Sequence, residues 1–285
     1  MLSDYKVASV DFATKVLGFQ QDDRSVHALA FGKNGEERIT GSFLIGADGA
    51  DSRVRQSAGI LYEGLTYPEL FLVIGTTFPF EEHIPNLSPV NYVSDPDEWC
   101  VLLKTDESWR VLVPTEVGAD REKLLSDSFI GSRLKRIVPE AEGSQVLHRS
   151  LYHVHQRVAE TYRIGRRVVL AGDAAHINNP LGGMGMNGGI HDAINLGEKL
   201  VEIIRRGGAP DKLLDLYERQ RRGICIRFVQ EHTKANKALM EASEREQQRE
   251  RQENLMRAAK SPAEAKAFLM RNSMIDCVRD SYRIK

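Results

Sequence analysis

The residues of this chain that are best suited to chemistry lie between Gly165 and Leu200. An apolar run, Val168–Leu170, ends at a turn of small residues that presents one acid, Asp173, and five glycines follow between Gly182 and Gly189. Glycines let a bound molecule approach the backbone closely, and a helix that begins there offers unpaired N–H groups to negative charge. A carboxylate at the end of a strand can accept hydrogen bonds from sugar or polyol hydroxyls. The segment therefore predicts a ligand-binding site.

A helix is predicted directly after these glycines. Apolar or small residues recur there at intervals of three and four, which is the spacing of one helix face, at Ile190, Ala193, Ile194, Gly197, Leu200, Val201 and Ile204. Gly207, Gly208 and Pro210 then end the helix.

The glycines do not form the usual dinucleotide-binding fingerprint, although Gly183, Gly185 and Gly188 have its GxGxxG spacing. That fingerprint directly follows a strand and lies within a βαβ unit. Here about ten residues separate the strand from the glycines, and the next predicted element is another helix. A purely structural glycine-rich turn is the remaining alternative to a ligand site.

The segment resembles a motif of the flavin-dependent aromatic hydroxylases of the p-hydroxybenzoate hydroxylase type. In that family, a pattern of the form GDAAH…P…GxGxNxGxxDAxNLxxKL contacts the ribityl chain and the ring of FAD. The chain matches this pattern at Gly172, Asp173, Ala174, Ala175, His176, Pro180, Gly183, Gly185, Asn187, Gly189, Asp192, Ala193, Asn195, Leu196, Lys199 and Leu200.

A second stretch, Leu44–Arg55, resembles the Asp-Gly motif of the same family, which touches both FAD and the nicotinamide donor. Its sequence is LIGADGADSRVR. Taken alone, the stretch could be an ordinary strand-to-helix turn with Ser52 as the N-cap. Two long motifs in the family's order favour the family interpretation, and the resemblance covers most of the chain.

The resemblance implies an FAD-dependent monooxygenase, which is an oxidoreductase. Such an enzyme hydroxylates a small aromatic or related ring with NADH or NADPH and O2, through a flavin C4a-hydroperoxide. In this chemistry the cofactor performs the difficult step, while the protein binds, orients and excludes water. No side chain is assigned as a general acid or base, and His176 is interpreted as part of the structural loop beside the cofactor.

The resemblance also implies which residues contact the cofactor. The expected set is Asp48, Gly49, Arg55, Gly172, Asp173, Pro180, Gly183, Gly185, Met186 and Asn187. Within it, Asp173 would hold the ribityl hydroxyls, and Pro180 would lie near the reactive edge of the flavin.

Two further roles follow for the same set. Backbone N–H groups of Gly185, Met186 and Asn187 would stabilise negative charge on the reduced flavin. Asp48 and Arg55 would serve the phosphates of the cofactor or of the nicotinamide.

Bulk properties exclude several other classes of function. The chain has 285 residues and a formal net charge of −1, so no electrostatic case exists for nucleic-acid binding. Cys100, Cys225 and Cys277 are far apart, without pairing or metal-ligand spacing, and His153 and His155 lack an obvious third donor. With no run of 18 apolar residues and no signal-like N-terminus, we expect a cytoplasmic protein without a metal site or a transmembrane segment.

The expected fold class is α/β: an incomplete FAD-binding Rossmann-like domain, an inserted antiparallel sheet and C-terminal helices. Residues 1–68 and 151–238 are assigned to the FAD-binding domain, and 239–285 to a C-terminal helical region. Residues 69–150, which contain short apolar strands separated by prolines, are assigned to the substrate-binding sheet.

The helical periodicity within these regions predicts single helices over 120–137 and 211–240. Ser261-Pro262-Ala263-Glu264 is a capping box with proline in the first helical position, which predicts a last helix through about Met274.

One family feature has no counterpart in this sequence. Nothing before Asp48 resembles the strand, GxGxxG loop and helix that bind the ADP half of FAD in family members. We therefore expect the chain to enter the family pattern inside the FAD domain, with fewer central strands and a weaker site for the FAD pyrophosphate.

Two alternatives stay open at this point. The first is a truncated, non-catalytic remnant that does not hold FAD, and the missing GxGxxG supports it. The second is an enzyme of the same fold that acts on a quinone or lipid precursor, since the motifs report on FAD and not on the substrate. The sequence does not decide between NADH and NADPH, and a homodimer is the assembly considered.

Overall fold

The computed structural model describes residues 7–95, 98–241 and 245–285. The chain divides into two compact units. The first comprises the chain up to Gly64, Arg157–Gln230 and Met274–Lys285, and the second comprises Leu65–Gln156 and Glu231–Ser273.

Both units contain strands and helices. The strands are β1 (Lys15–Gln21), β2 (Val26–Gly32), β3 (Gly35–Gly41), β4 (Leu44–Gly46), β5 (Tyr62–Thr76), β6 (Val90–Val93), β7 (Cys100–Lys104), β8 (Trp109–Pro114), β9 (Val146–Ala159), β10 (Arg163–Ile164), β11 (Val168–Leu170) and β12 (His176–Ile177). The helices are α1 (Arg53–Ser57), α2 (Phe80–His83), α3 (Arg121–Leu124), α4 (Asp127–Ile137), α5 (Met184–Arg206), α6 (Pro210–Ile224), α7 (Glu231–Glu241), α8 (Arg245–Lys260), α9 (Pro262–Asn272) and α10 (Ile275–Arg283).

Two small sheets form the framework of the first unit. The antiparallel meander has the order β1-β2-β3, and the second sheet has the order β10-β11-β4. In the second sheet β11 pairs with β4 in parallel, with Val168 opposite Leu44 and Leu170 opposite Gly46. Because both strands run in the same direction, the turns that follow them emerge at the same edge of the sheet.

The predicted strand Val168–Leu170 is confirmed, and it lies at the centre of the core of the first unit. All three of its side chains are fully buried. They cluster with buried residues of α5 and α6, including Leu196 and Leu214. The hydroxyl of Tyr217 on α6 also donates to the carbonyl of Leu170 at 2.7 Å. An uninterrupted apolar run is typical of a strand that is covered on both faces.

The predicted helix after the glycines is confirmed as α5, but it buries a different side from the one that is rich in apolar residues. Its buried residues are Met184, Gly188, Asp192, Asn195, Leu196, Lys199 and Ile203. Ile190, Ile194, Val201 and Ile204 are between 48% and 63% exposed. Polar side chains are buried instead because they make hydrogen bonds and ion pairs with α6 and with the turn after β11. The spacing thus identified the helix but not its buried side.

The second unit contains an antiparallel sheet with the strand order β9-β5-β8-β7-β6 among its described residues. Helix α4 packs on this sheet through Ile130 and Leu134, which cluster with Leu72, Ile74 and Val111. The strands expected from the short apolar runs are therefore present.

Two of the predicted single helices are interrupted. The segment 120–137 forms α3 and α4, because the hydroxyl of Ser126 accepts a hydrogen bond from the N–H of Phe129 at 3.3 Å and begins a new helix. The segment 211–240 forms α6, a π-helical stretch over Cys225–Gln230, and α7. Periodicity does not reveal such local changes in hydrogen bonding.

Ser261 is confirmed as the N-cap of α9, but the reciprocal bond of a capping box is not made, because the N–H of Ser261 donates to the carbonyl of Ala258 at 3.3 Å. The hydroxyl of Ser261 accepts from the N–H of Glu264 at 3.4 Å, and Pro262 is the first helical residue. A further helix, α10, follows it, so α9 is not the last helix. Within the described ranges, none of the helices is both long and apolar enough to cross a membrane.

We expect Leu134→Ala to lower the free energy of unfolding by about 2–5 kcal/mol, because Leu134 is 1% exposed and its truncation leaves a cavity between α4 and the sheet. Chemical denaturation followed by circular dichroism measures this change. The matched control is Leu147→Ala in the same unit, which removes a leucine that is 51% exposed and should change the value by less than about 0.5 kcal/mol. Equal effects of the two variants would contradict the assignment of Leu134 to the core.

Candidate functional site

The turn after β11 presents the carboxylate of Asp173 to solvent while its backbone is held in place. Gly172 has a φ of +60°, a conformation that favours glycine, and it begins a short 3-10 turn over Gly172–Ala174. The carbonyl of Asp173 accepts a hydrogen bond from the Tyr62 hydroxyl at 2.8 Å. Burial raises the pKa of Tyr62, so this hydroxyl stays protonated and remains a donor. The Asp173 side chain itself is exposed.

Helix α5 begins close to this turn with an open N-terminus. Its N-cap is Gly183, which has a φ of +64° and has no side chain with which to cap the first N–H groups of the helix. Pro180, Met186 and Asn187 are exposed around it. The side-chain amide of Asn187 donates to the carbonyl of Gly183 at 2.8 Å. Such an N-terminus favours negative charge on a bound group.

The glycines of this segment fall into two groups. A Cβ atom on Gly188 would lie 3.0 Å from Cε1 of His176, and one on Gly189 would lie 3.2 Å from Cα of Gly172, so tight packing favours glycine at both positions. A Cβ atom on Gly183 would meet nothing within 4 Å, and one on Gly185 would come no closer than 3.7 Å to Oδ1 of Asn178. Packing alone therefore does not explain the glycine at 185.

These features fit the flavin half of FAD. The open backbone around Gly185 leaves room for a flat ring, the helix start favours a ring that carries negative charge, and Asp173 can accept hydrogen bonds from ribityl hydroxyls. The buried oxygen Oδ1 of Asn178, below Gly185, has no hydrogen-bond partner among the described residues.

The Asp-Gly motif lies in the turn after β4. Gly46 is required there by packing, because a Cβ atom would approach Leu170 and Val54 to within 2.8–2.9 Å. Asp48 is exposed, but its carboxylate accepts from the Ser52 hydroxyl at 2.5 Å and from the N–H of Val54 at 3.1 Å. Ser52 is the N-cap of α1, as its position in the sequence suggested. Asp48 and Ser52 thus brace this turn together.

Arg55 joins the two motif turns. Its side chain is buried, and its two terminal nitrogens donate to the carbonyl of Ala174 at 2.9 Å and to that of Ala50 at 2.7 Å. The guanidinium group also lies 3.8 Å from the centre of the Tyr62 ring. Burial lowers the pKa of Arg55. The expected contact of Arg55 with a phosphate stays a prediction, since both of its terminal nitrogens already donate to carbonyls here.

His176 is buried rather than presented to a ligand. Its Nε2 atom lies 2.8 Å from Oδ2 of Asp192, which is fully buried. Burial opposes protonation of His176, but Cys225 and Asp192 outweigh it and raise the pKa of the imidazole well above its usual value. The structure therefore agrees with the interpretation of His176 as part of a structural loop.

The fold brings two further residues to this site that lie outside the sequence motifs. Tyr62, at the start of β5, supports the Asp173 turn, and Arg221, on α6, donates to Asp192 at 2.7 Å. Neither lies in a recognised motif, so no sequence signal identified them. No group of three or more His, Cys, Asp or Glu side chains converges on a metal position in the part of the chain that the structure describes.

Comparison with known proteins agrees with this geometry. Residues 3–232 match the family described as FAD binding domain. The chain is 38% identical over 233 residues to para-nitrophenol 4-monooxygenase of Pseudomonas sp. (strain WBC-3), a match that covers 79% of this chain and 55% of that enzyme. The chain thus spans about half the length of the curated relatives it matches.

Solved structures give the same result. The crystal structure of p-nitrophenol 4-monooxygenase PnpA from Pseudomonas putida DLL-E4 superposes with a TM-score of 0.83 at 31% identity, over 93% of this chain and 66% of that one. A ternary complex of aklavinone-11 hydroxylase with FAD and aklavinone has a TM-score of 0.66 at 28% identity, over 79% of this chain and 43% of that one. The predicted fold class is confirmed. The chain belongs to the FAD-binding family that includes flavin-dependent aromatic monooxygenases.

Proposed function

We propose that this chain carries the flavin-contacting part of an FAD-dependent monooxygenase that hydroxylates a small aromatic or related ring. NADH or NADPH and O2 are the proposed co-substrates, and the proposal includes the oxygen-transfer route that the family resemblance implies. The observation that supports it best is the open, glycine-lined start of α5 beside the exposed carboxylate of Asp173. The similarity to para-nitrophenol 4-monooxygenase supports an aromatic substrate.

When bound, FAD would accept a hydride and activate O2. The residues of this chain supply the binding and orientation. Asp173 accepts hydrogen bonds from the ribityl hydroxyls, because its carboxylate is exposed while its backbone is fixed by Tyr62.

The start of α5 contributes an electrostatic interaction with the cofactor in this proposal. The first N–H groups of the helix, around Gly185, Met186 and Asn187, carry a partial positive charge of about +0.5 in total. This charge would favour a bound flavin ring that carries negative charge. Pro180, in the exposed loop before the helix, lies at the reactive edge of the ring in this proposal.

The second motif supports the first. Asp48 braces the turn that it begins, and its exposed carboxylate remains available to a ribose hydroxyl. Arg55 serves the cofactor mainly by holding the two turns together through the carbonyls of Ala50 and Ala174. Gly49, with a φ of +80°, and Gly172 give the two turns their left-handed conformation.

The experiment that tests this function is the visible absorption spectrum of the purified chain after incubation with FAD and desalting. We expect retained flavin bands, followed by NADH or NADPH oxidation that depends on an added phenol and yields a hydroxylated product. A folded chain that stays colourless would contradict the proposal and favour a remnant that does not hold FAD. Turnover of a quinone or lipid precursor in place of phenols would instead support an enzyme of the same fold with a different substrate.

We expect Asp173→Ala to weaken FAD binding by about tenfold to a hundredfold, because a charge-assisted hydrogen bond is worth about 1.5–3 kcal/mol. The dissociation constant is measured by quenching of flavin fluorescence. The control is Asp215→Ala, which removes another exposed carboxylate of the first unit, one that pairs with Arg219 on α6. Unchanged FAD affinity in Asp173→Ala would refute the role assigned to this carboxylate.

Gly185→Ala should separate stability from binding. Alanine should raise the free energy of unfolding by about 0.4–1 kcal/mol, because it restricts the unfolded chain, Gly185 does not have a positive φ, and the new Cβ atom makes only ordinary contacts. FAD affinity should fall by about tenfold, because the methyl group occupies the space of the ring. Gly197→Ala is the control on the same helix, where a Cβ atom meets nothing within 4 Å and FAD binding should not change. Equal FAD affinity in both variants would place the ring elsewhere.

A further inference from the structure

We propose that Asp192 is the positioning residue of this site. In this proposal, which rests on the proposed function, Asp192 fixes the turn that carries Asp173 against the start of α5. It lies on α5, less than one turn beyond Gly189, and it is fully buried. It would touch neither FAD nor substrate, so its role is to hold the residues that do.

The carboxylate of Asp192 is shared by three donors from three segments. Oδ2 accepts the N–H of Gly172 at 3.0 Å and lies 2.8 Å from Nε2 of His176. Oδ1 accepts from Nε of Arg221 at 2.7 Å. One side chain therefore connects the turn after β11, helix α5 and helix α6.

The bond to Gly172 matters most for the site. Gly172 has the left-handed conformation that turns the chain toward Asp173, and its N–H points into the protein at Asp192. The carbonyl of Asp173 accepts a hydrogen bond from the Tyr62 hydroxyl. The backbone on either side of the Asp173 side chain is thus fixed, which sets where its carboxylate emerges.

Arg221 and His176 place the helix relative to this turn. Arg221 also donates to the carbonyl of Gly188 at 3.3 Å. The His176 ring packs against Gly188, where it occupies the space that a Cβ atom would need. Gly189 packs directly on Gly172. The second turn of α5 and the Asp173 turn are therefore in contact through backbone atoms, and the side chain of Asp192 links the same two segments.

Burial of a carboxylate destabilises the folded state, because it removes the hydration of the charge. Only ion pairs and hydrogen bonds compensate for this cost. Burial raises the pKa of Asp192, but His176 and Arg221 outweigh it and keep the pKa below its usual value. An apolar residue could fill the same space, but it could not accept the N–H of Gly172. The need to accept the N–H of Gly172, rather than packing, therefore explains why an acid occupies position 192.

The test uses Asp192→Asn in the full chain, together with Asp192→Asn/Arg221→Gln, which avoids an unpaired buried guanidinium if the single variant does not fold. Glu69→Gln is the control, because Glu69, whose side chain is 12% exposed, forms a largely buried ion pair with Lys237 in the second unit. Two readouts are compared with the wild type: amide hydrogen exchange of peptides from 168–178 and 100–114 without FAD, and the dissociation constant for FAD.

We expect folded Asp192 variants to exchange the 168–178 amides faster by about tenfold or more, with 100–114 unchanged. Their FAD affinity should fall by about tenfold or more. Glu69→Gln should lower the melting temperature but leave the exchange of 168–178 and FAD affinity as in the wild type.

Folded Asp192 variants whose turn exchange and FAD affinity both stay within about twofold of the wild type would overturn the proposal. So would a loss of FAD affinity of equal size in Glu69→Gln, since this would report general destabilisation. If the wild type itself binds no FAD, the proposed function fails, whereas the exchange measurement still decides whether Asp192 fixes the turn.

Discussion

The parallel pairing of β4 with β11 is the constraint on which the rest of the site depends. The two strands are separated by more than a hundred residues, yet the N–H of Ala171 donates to the carbonyl of Gly46 at 3.0 Å just where both strands end. This pairing requires that Gly46 has no side chain, because Leu170 and Val54 occupy the space. The Asp-Gly turn and the Asp173 turn are neighbours for this reason alone, and Arg55 can then join them.

Polar groups, rather than apolar ones, determine which side of α5 packs against α6. The helix turns Asp192, Asn195 and Lys199 inward, where they meet Gln220 and Arg221 of α6. Each of these groups makes at least one hydrogen bond or ion pair, which offsets part of the cost of its burial and fixes the orientation of the helix. The consequence is an exposed row of isoleucine and valine on the opposite side of the helix.

Much of the local structure could be predicted from the sequence. The strand Val168–Leu170, the helix after the glycines and the cap at Ser261 were predicted correctly, because each depends on residues within a few positions of one another. The breaks at Ser126 and at Cys225–Gln230 were missed, because a hydroxyl cap or a π-helical turn changes hydrogen bonding without disturbing apolar spacing. The functional roles of the motif residues stay predictions.

The sequence by itself determined the family and the order of the local elements, because motif residues, glycines and caps are properties of short stretches. Only the tertiary structure decided which glycines are needed for packing and which leave open space, since that depends on atoms such as the His176 ring above Gly188. It also decided that Arg55 reaches a carbonyl 119 positions away and that Tyr62 supports Asp173 from 111 positions away. Contacts of this kind have no local signal, because they exist only after the strands have paired.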